Sequence, residues 1–278
     1  MKISAGSTAV VTGGSSGLGR VLCLELARRG VSVAIADRDV GGAAETMALM
    51  PADLCELPHF AVACDIRRNQ DFLDLRNEIG ERWQGRLNLL VNNAGIARAG
   101  DISQTSEDDW QLMLDTNLMG VIRGCRELLP VLRASGNGYI VNVASFAGLA
   151  NAPGMISYNV AKAGVIALSE SLRGELRPMG IGVSVACPAF FATNLLNDFN
   201  APPEVTQKVQ RMMQRSRVQG IDVATDIVYA IEHERFMVIS HGEARRAYLL
   251  KRLLPEWFFK AIQRQTSGLY GSRKGAHS

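Results

Sequence analysis

Residues 7–11 (Ser-Thr-Ala-Val-Val) read as a short buried strand. They run straight into Thr12-Gly13-Gly14-Ser15-Ser16-Gly17-Leu18-Gly19, beyond which apolar residues recur at helical spacing (Leu18, Val21, Leu22, Leu26) as far as Gly30. Glycine accepts positive φ and lets a ligand approach the backbone, and the helix that follows aims free N–H groups and the positive end of its dipole into the turn. A pyrophosphate fits there. The spacing G-x-x-x-G-x-G departs from the common dinucleotide fingerprint, and an ordinary tight turn uses glycines too, so the rest of the chain decides between them.

Six more short runs rich in Val, Ile, Ala and Leu, at 31–36, 60–64, 87–91, 139–143, 183–187 and 236–239, alternate with helical patterns. Runs without in-out alternation predict strands buried on both faces, and the helices supply the cover: an α/β fold with a doubly wound parallel sheet of about seven strands. The 278 residues suit one large domain, expected over 1–242, with 243–278 as a C-terminal extension. The longest helical tract, 107–133, is expected to bend or end at Pro130, and the next, 157–177, to stop before Pro178. Long helices of this kind pair across two-fold axes, which predicts a homodimer, unless they merely cover the sheet.

The five cysteines are scattered without a C-x-x-C pair, and the four histidines are equally dispersed, so buried thiols in a reducing compartment are expected and a metal site is not. No stretch approaches the roughly 18 apolar residues of a membrane span, and the residues before the first strand leave no room for a signal peptide; the expected address is cytoplasmic. Residues 241–278 carry eight Lys or Arg against two Glu, a net +6, so a basic appendix follows a body of net −3.

In an open parallel sheet, ligands sit beyond the carboxyl ends of the strands. Strand two ends in Asp37-Arg38. A carboxylate there accepts both ribose hydroxyls of an adenosine and repels a 2′-phosphate, which favours NAD; a guanidinium would instead hold the phosphate of NADP. Strand three ends in Asp65-Ile66, where the carboxylate is suited either to an adenine amino group or to capping a helix. Strand four ends in Asn92-Asn93-Ala94-Gly95, small residues that admit a cofactor and amides able to tie neighbouring strands together.

Strand five ends in Ala144-Ser145, and thirteen residues on stand Tyr158 and Lys162, one turn apart on one helix face. A phenol titrates near about 10, but an ammonium and a positive nicotinamide ring nearby favour the phenolate. Tyr158 would then exchange a proton with a substrate oxygen that Ser145 also binds, positioning the carbon for hydride transfer.

Taken in chain order, Thr12-Gly13-x-x-x-Gly17-x-Gly19, Asp65, Asn92-Asn93-Ala94-Gly95, Asn117, Ser145, Tyr158-x-x-x-Lys162 and Pro188 with Thr193 resemble the short-chain dehydrogenase/reductase family, in its single-domain, Rossmann-like branch, over about residues 5–240. The resemblance implies Tyr158 as general acid/base, Lys162 as the group that lowers its pKa and holds the nicotinamide ribose, Ser145 as substrate-oxygen donor and Asn117 as the holder of a relay water. It implies that Pro188 and Thr193 contact the carboxamide, and it places the nucleotide against Gly13, Ser15, Ser16, Gly17, Leu18, Gly19, Asp37, Arg38, Asp65, Ile66, Asn93, Ala94 and Gly95. Ala189 follows Pro188 where family members usually have glycine. The Asp-Gly-Gly-like turn that ends tetrameric members is replaced by Val238-Ile239-Ser240-His241-Gly242, so a tetramer is not assumed.

Residues 190–217 correspond to the substrate cover. Phe190, Phe191, Leu195 and Leu196 with Met212 and Met213 suit a lipophilic alcohol or ketone, unless they pack on the domain's own core. The extension sets Arg245, Arg246, Lys251 and Arg252 among leucines and aromatics, a composition fitted to an anionic membrane surface or to docking on the body or a second subunit; it carries no nucleic-acid motif. The expected activity is NAD-dependent interconversion of a secondary alcohol and a ketone. An NADPH-dependent carbonyl reductase and a non-catalytic dinucleotide binder are the alternatives.

Overall fold

The structure, a computed structural model, describes residues 1–191, 199 and 203–270. Seven strands, β1 (Thr8–Thr12), β2 (Ser32–Asp37), β3 (Phe60–Ala63), β4 (Leu89–Asn92), β5 (Tyr139–Val143), β6 (Gly182–Ala186) and β7 (Met237–Val238), form one sheet in the order β3-β2-β1-β4-β5-β6-β7. Every neighbouring pair is parallel. The order reverses between β1 and β4, which puts the switch point beside the glycine turn.

The helices are α1 (Gly17–Arg28), α2 (Val40–Ala48), α3 (Asn69–Trp83), α4 (Glu107–Leu114), α5 (Gly120–Ala134), α6 (Phe146–Ala150), α7 (Ile156–Leu176), α8 (Pro203–Gln214), α9 (Gly220–Glu232), α10 (Gly242–Leu253) and α11 (Pro255–Tyr270). Alternate strand residues face different layers. Val10, Leu90 and Ile140 pack with α3, α5 and α7, through Phe72, Leu128 and Val165 among others. Val11, Val91 and Val141 pack with α1 and α9, through Leu22 and Ile227 among others. Both faces are therefore apolar, which is why the strand sequences do not alternate.

The long tract is not broken at Pro130. A π-helical turn, Asp115–Met119, separates α4 from α5, and α5 runs on past Pro130 to Ala134. Pro130 is exposed, and the bond it forgoes would have gone to Arg126, also exposed, so water can serve that carbonyl. The π turn, in contrast, has a buried occupant, Asn117.

One buried polar chain crosses the layers. Asn92 Nδ2 donates to Asn142 Oδ1 (2.9 Å), Asn142 Nδ2 donates to Ser169 Oγ (3.0 Å), and Ser169 Oγ donates to the Val165 carbonyl (2.6 Å). It joins β4 and β5 to α7, the helix that carries Tyr158 and Lys162. Asn142→Leu would remove two buried hydrogen bonds and is expected to cost about 2 kcal/mol, read as a lower urea midpoint; an unchanged midpoint would show that these amides do not hold the three elements together.

Candidate active site

The glycine turn is fixed by bonds from both neighbouring strands. Gly13, at φ +70°, donates its N–H to the Ala36 carbonyl (2.9 Å). Asn93 Nδ2 donates to the carbonyls of Thr12 (3.0 Å) and Gly13 (3.1 Å), while the Thr12 hydroxyl accepts the N–H groups of Asn93 (3.0 Å) and Ala94 (3.1 Å). The strand-four amides thus make the cross-strand ties that their position suggested. A Cβ at Gly19 would lie 1.9 Å from the Gly13 carbonyl oxygen, so Gly19 lets α1 close onto the turn and does not itself line the cavity.

That cavity, of about 1230 Å³, runs along the carboxyl ends of the strands. Ser15, Ser16, Gly17 and Leu18 line it from the turn, Asp37 and Arg38 from β2, Asp65 and Ile66 from β3, and Asn93, Ala94 and Gly95 from β4. Asp37 is buried, and its two oxygens accept the N–H groups of Ser15 (2.9 Å) and Asp39 (3.0 Å). Asp65 is gripped by Arg67, whose Nε reaches one carboxylate oxygen at 2.9 Å and whose terminal nitrogen reaches the other at 2.5 Å. Hydrogen bonds from that guanidinium hold the Asp65 carboxyl below its ordinary range. Arg67 also lines the cavity, a position that no motif marked.

Farther along, Ser145 caps α6, its Oγ accepting the Ala147 N–H (3.1 Å). Asn117, fully buried in the π turn, embraces the Ile96 backbone: Oδ1 accepts its N–H (2.9 Å) and Nδ2 donates to its carbonyl (2.8 Å). Gly95 leaves the necessary room, since a Cβ there would meet Asn117 Oδ1 at 2.7 Å and Lys162 Nζ at 3.4 Å. Lys162 is buried, donates to the Val143 carbonyl (2.8 Å) and lies 5.9 Å from the centre of the Tyr158 ring.

The phenol does not follow the expected direction. Burial pushes the Tyr158 pKa up, outweighing a hydrogen bond with Ser145 that pulls it down. Burial also depresses Lys162, to about 8, with the neighbouring Cys187 thiol opposing this. An ammonium that is itself disfavoured, and already committed to a carbonyl, does not offset the phenol's desolvation.

Beyond the phenol the cavity becomes apolar. Pro188 and Phe190 line it; Phe191 lines it too, but is buried against the α9 layer, so it serves the core as well as the site. Phe199 and Val209 pack in the cluster that holds Tyr158, and Met212, Met213 and Ile262 also line the cavity. Thr193, Leu195 and Leu196 lie outside the described residues. Thr116 and Ile262, like Arg67, line the cavity without a signal in the sequence. Thr116 offers a buried hydroxyl with no partner among the described residues, and Ile262 arrives from α11. His241 was missed as well: its Nδ1 accepts the Ala189 N–H (3.4 Å) and its Nε2 faces the Phe190 carbonyl (3.1 Å), which the neutral Nε2-protonated tautomer satisfies, and burial lowers its pKa accordingly. Among the described residues there is no group of three or more metal-ligating side chains and no helix long and apolar enough to cross a membrane.

The family model for short chain dehydrogenases matches residues 7–204. A bovine (Bos taurus) 3-oxoacyl-[acyl-carrier-protein] reductase is 35% identical over 223 residues, covering 80% of this chain and 90% of that protein. The corresponding reductase FabG of Staphylococcus epidermidis is 30% identical over 192 residues, covering 68% of this chain and 77% of its own. Among solved structures, a short-chain dehydrogenase/reductase from Burkholderia phymatum in complex with NAD superposes with a TM-score of 0.83 at 30% identity, covering 92% of this chain and 96% of that one. The chain belongs to the short-chain dehydrogenase family. It is an oxidoreductase of the kind that acts on CH–OH groups with NAD(P) as acceptor.

The depressed lysine has a measurable consequence. A lysine whose folded-state pKa is about 8 against 10.5 for the free side chain penalises folding while it is charged; the penalty is full below pH 8 and is relieved as pH rises toward 10.5, because the unfolded chain then binds more protons. The unfolding free energy of the parent minus that of Lys162→Met should therefore climb across this window, by up to about 1.4 kcal/mol per pH unit. A flat difference in denaturation measured at successive pH values would show that Lys162 is not strained by burial.

Proposed function

We propose that the protein interconverts a secondary alcohol and a ketone on a lipophilic substrate, with NAD as the preferred nucleotide and Tyr158 as the proton-exchanging group. The observation that carries this reading is continuity: one cavity joins the glycine turn and Asp37 to Ser145, Tyr158 and Lys162, and then to an apolar end. The residues fit a dinucleotide. Gly95 lines the cavity with backbone alone, the Thr116 hydroxyl is buried without a partner among the described residues, and Asp37 places an acceptor-only carboxylate where a ribose belongs. Gly13, Ser15, Ser16 and Gly17 would hold the pyrophosphate, Asp65 and Ile66 the adenine, Asn93 to Gly95 with Lys162 the nicotinamide ribose, and Pro188 the carboxamide side.

A nicotinamide dinucleotide supplies the hydride acceptor or donor when bound. The chain's own groups handle the oxygen. Ser145 Oγ and the Tyr158 hydroxyl bind it together, Asn117 shapes the floor through the Ile96 backbone, and Lys162 stands one turn from the phenol. A protonated phenol can give its proton to a ketone oxygen, the role that reduction requires, and relatives are named reductases. The homodimer expected from the long helices remains part of this reading, with exposed Met119 and Val160 as apolar positions on them.

Nucleotide fluorescence titration with NADH and NADPH, followed by turnover of Tyr158→Phe, tests both halves. NADH should bind more tightly, Asp37→Ala should narrow the gap, and Tyr158→Phe should lower kcat by at least ~100-fold with the NADH Kd little changed. Tighter NADPH binding would transfer the decision to Arg38, and a fully active phenylalanine variant would remove Tyr158 from the mechanism.

The extension adds peripheral membrane contact to the reading. Leu249 and Leu253, 58% and 76% exposed, stand one turn apart on α10 with Arg246 on the same outer side. Leu253→Glu should weaken co-sedimentation with anionic vesicles without changing the melting temperature; equal sedimentation of parent and variant would count against the contact.

A further inference from the structure

We infer that the chain beyond β7 is part of the substrate site, and that Ile262 of α11 is a specificity-determining side chain for the apolar arm of the substrate; this rests on the alcohol–ketone chemistry proposed above. Ile262 lines the same cavity as Ser145 and Tyr158, as do Val209, Met212 and Met213. The apolar wall begins at the reacting phenol, because Tyr158 shares a buried cluster with Ala97, Met113 and Phe199, against which Val209 packs.

The two terminal helices are fastened in a way that keeps Ile262 there. On α11, Phe258 lies one turn before Ile262 on the same side and is buried, while Trp257 and Phe259 on the flanks are more than half exposed. On α10, Ala244 is buried, Arg245 Nε donates to the Ile239 carbonyl, and Lys251 Nζ donates to the Leu149 carbonyl of α6 (2.6 Å). At the start of α10, His241 accepts the Ala189 N–H at Nδ1 and meets the Phe190 carbonyl and the Ser216 hydroxyl at Nε2. These bonds join the extension to the loop after β6 and to the end of the substrate cover.

The family match stops at residue 204, so the part of this wall that Val209, Met212, Met213 and Ile262 supply comes from outside the matched segment. A branched hydrocarbon at position 262 offers no hydrogen bond and excludes water, and its volume sets the room left for the ligand. The arm it accepts is an extended alkyl or aryl group. Because Ile262 is remote in sequence from Tyr158 and Lys162, its size can change which ketone is taken while the reacting groups stay as they are.

The test uses the full chain with Ile262→Trp and Ile262→Ala. Three readings are taken: melting temperature, the NADH titration, and NADH oxidation with straight-chain methyl ketones from butanone to undecan-2-one. Saturation-transfer NMR of undecan-2-one on nucleotide-free protein is measured in parallel. The tryptophan variant should lose about tenfold or more in kcat/KM for the long ketones while butanone and NADH are nearly unaffected, and the alanine variant should shift the preference toward longer chains. Saturation transfer to undecan-2-one should weaken in Ile262→Trp, which reads the inference even where no ketone is turned over or no nucleotide binds, outcomes that would bear on the proposed reaction instead. Identical chain-length profiles in all three proteins, saturation transfer unchanged by the tryptophan, or no transfer to the parent would overturn it.

Discussion

The Thr12 hydroxyl joins the two halves of the sheet where the site has to form. It stands at the end of β1, within 3.4 Å of the Val91 carbonyl, and accepts two successive N–H groups from the end of β4. Asn93 completes the joint by donating to the backbone of the turn itself. Because strand order reverses here, helices leave β1 and β4 in opposite directions and a crevice opens between them. Without the joint, the glycine turn and the Asn93–Gly95 segment would be neighbours only on average, and a cavity serving both would have no fixed shape.

The chemistry at the other end depends on burying groups that water would rather keep. Asn117, Tyr158 and Lys162 are all buried, and each is held by a backbone or side-chain partner: Ile96, Ser145 and the Val143 carbonyl respectively. Burial raises the phenol above its ordinary value and lowers the ammonium to about 8, because it disfavours the charged form of each. The polar chain from Asn92 through Asn142 to Ser169 makes this affordable in structural terms, because it pins α7 to the sheet by fully buried bonds.

Local order carried most of the architecture into the sequence. Apolar runs without alternation revealed strands covered on both sides, and the glycine turn, the Asn93–Gly95 segment and the Tyr158–Lys162 spacing marked the cavity because each depends on residues close in sequence. What was illegible depends on partners far away. The π turn at Asp115–Met119 surrounds an asparagine whose reason for burial is Ile96, so a helical pattern with a proline drew attention to the wrong place. Arg67 carries no local signal, since its place at the cavity depends on the carboxylate it grips, and the phenol's environment could not be judged from Lys162 alone, since desolvation is a property of everything packed around it.

The extension illustrates the same limit and gives it a functional side. Lys251 donates to a carbonyl near the carboxyl end of α6, where a cation is favoured by the helix dipole, and α6 is the short helix that Ser145 caps. From the same fastening, α11 turns back so that Ile262 meets the cavity. One segment therefore braces the short helix that Ser145 caps and also lines the cavity. A fold that leaves its reacting groups on α6 and α7 can then vary its substrate through helices added after the last strand, since their packing reaches the site without altering the spacing of Ser145, Tyr158 and Lys162.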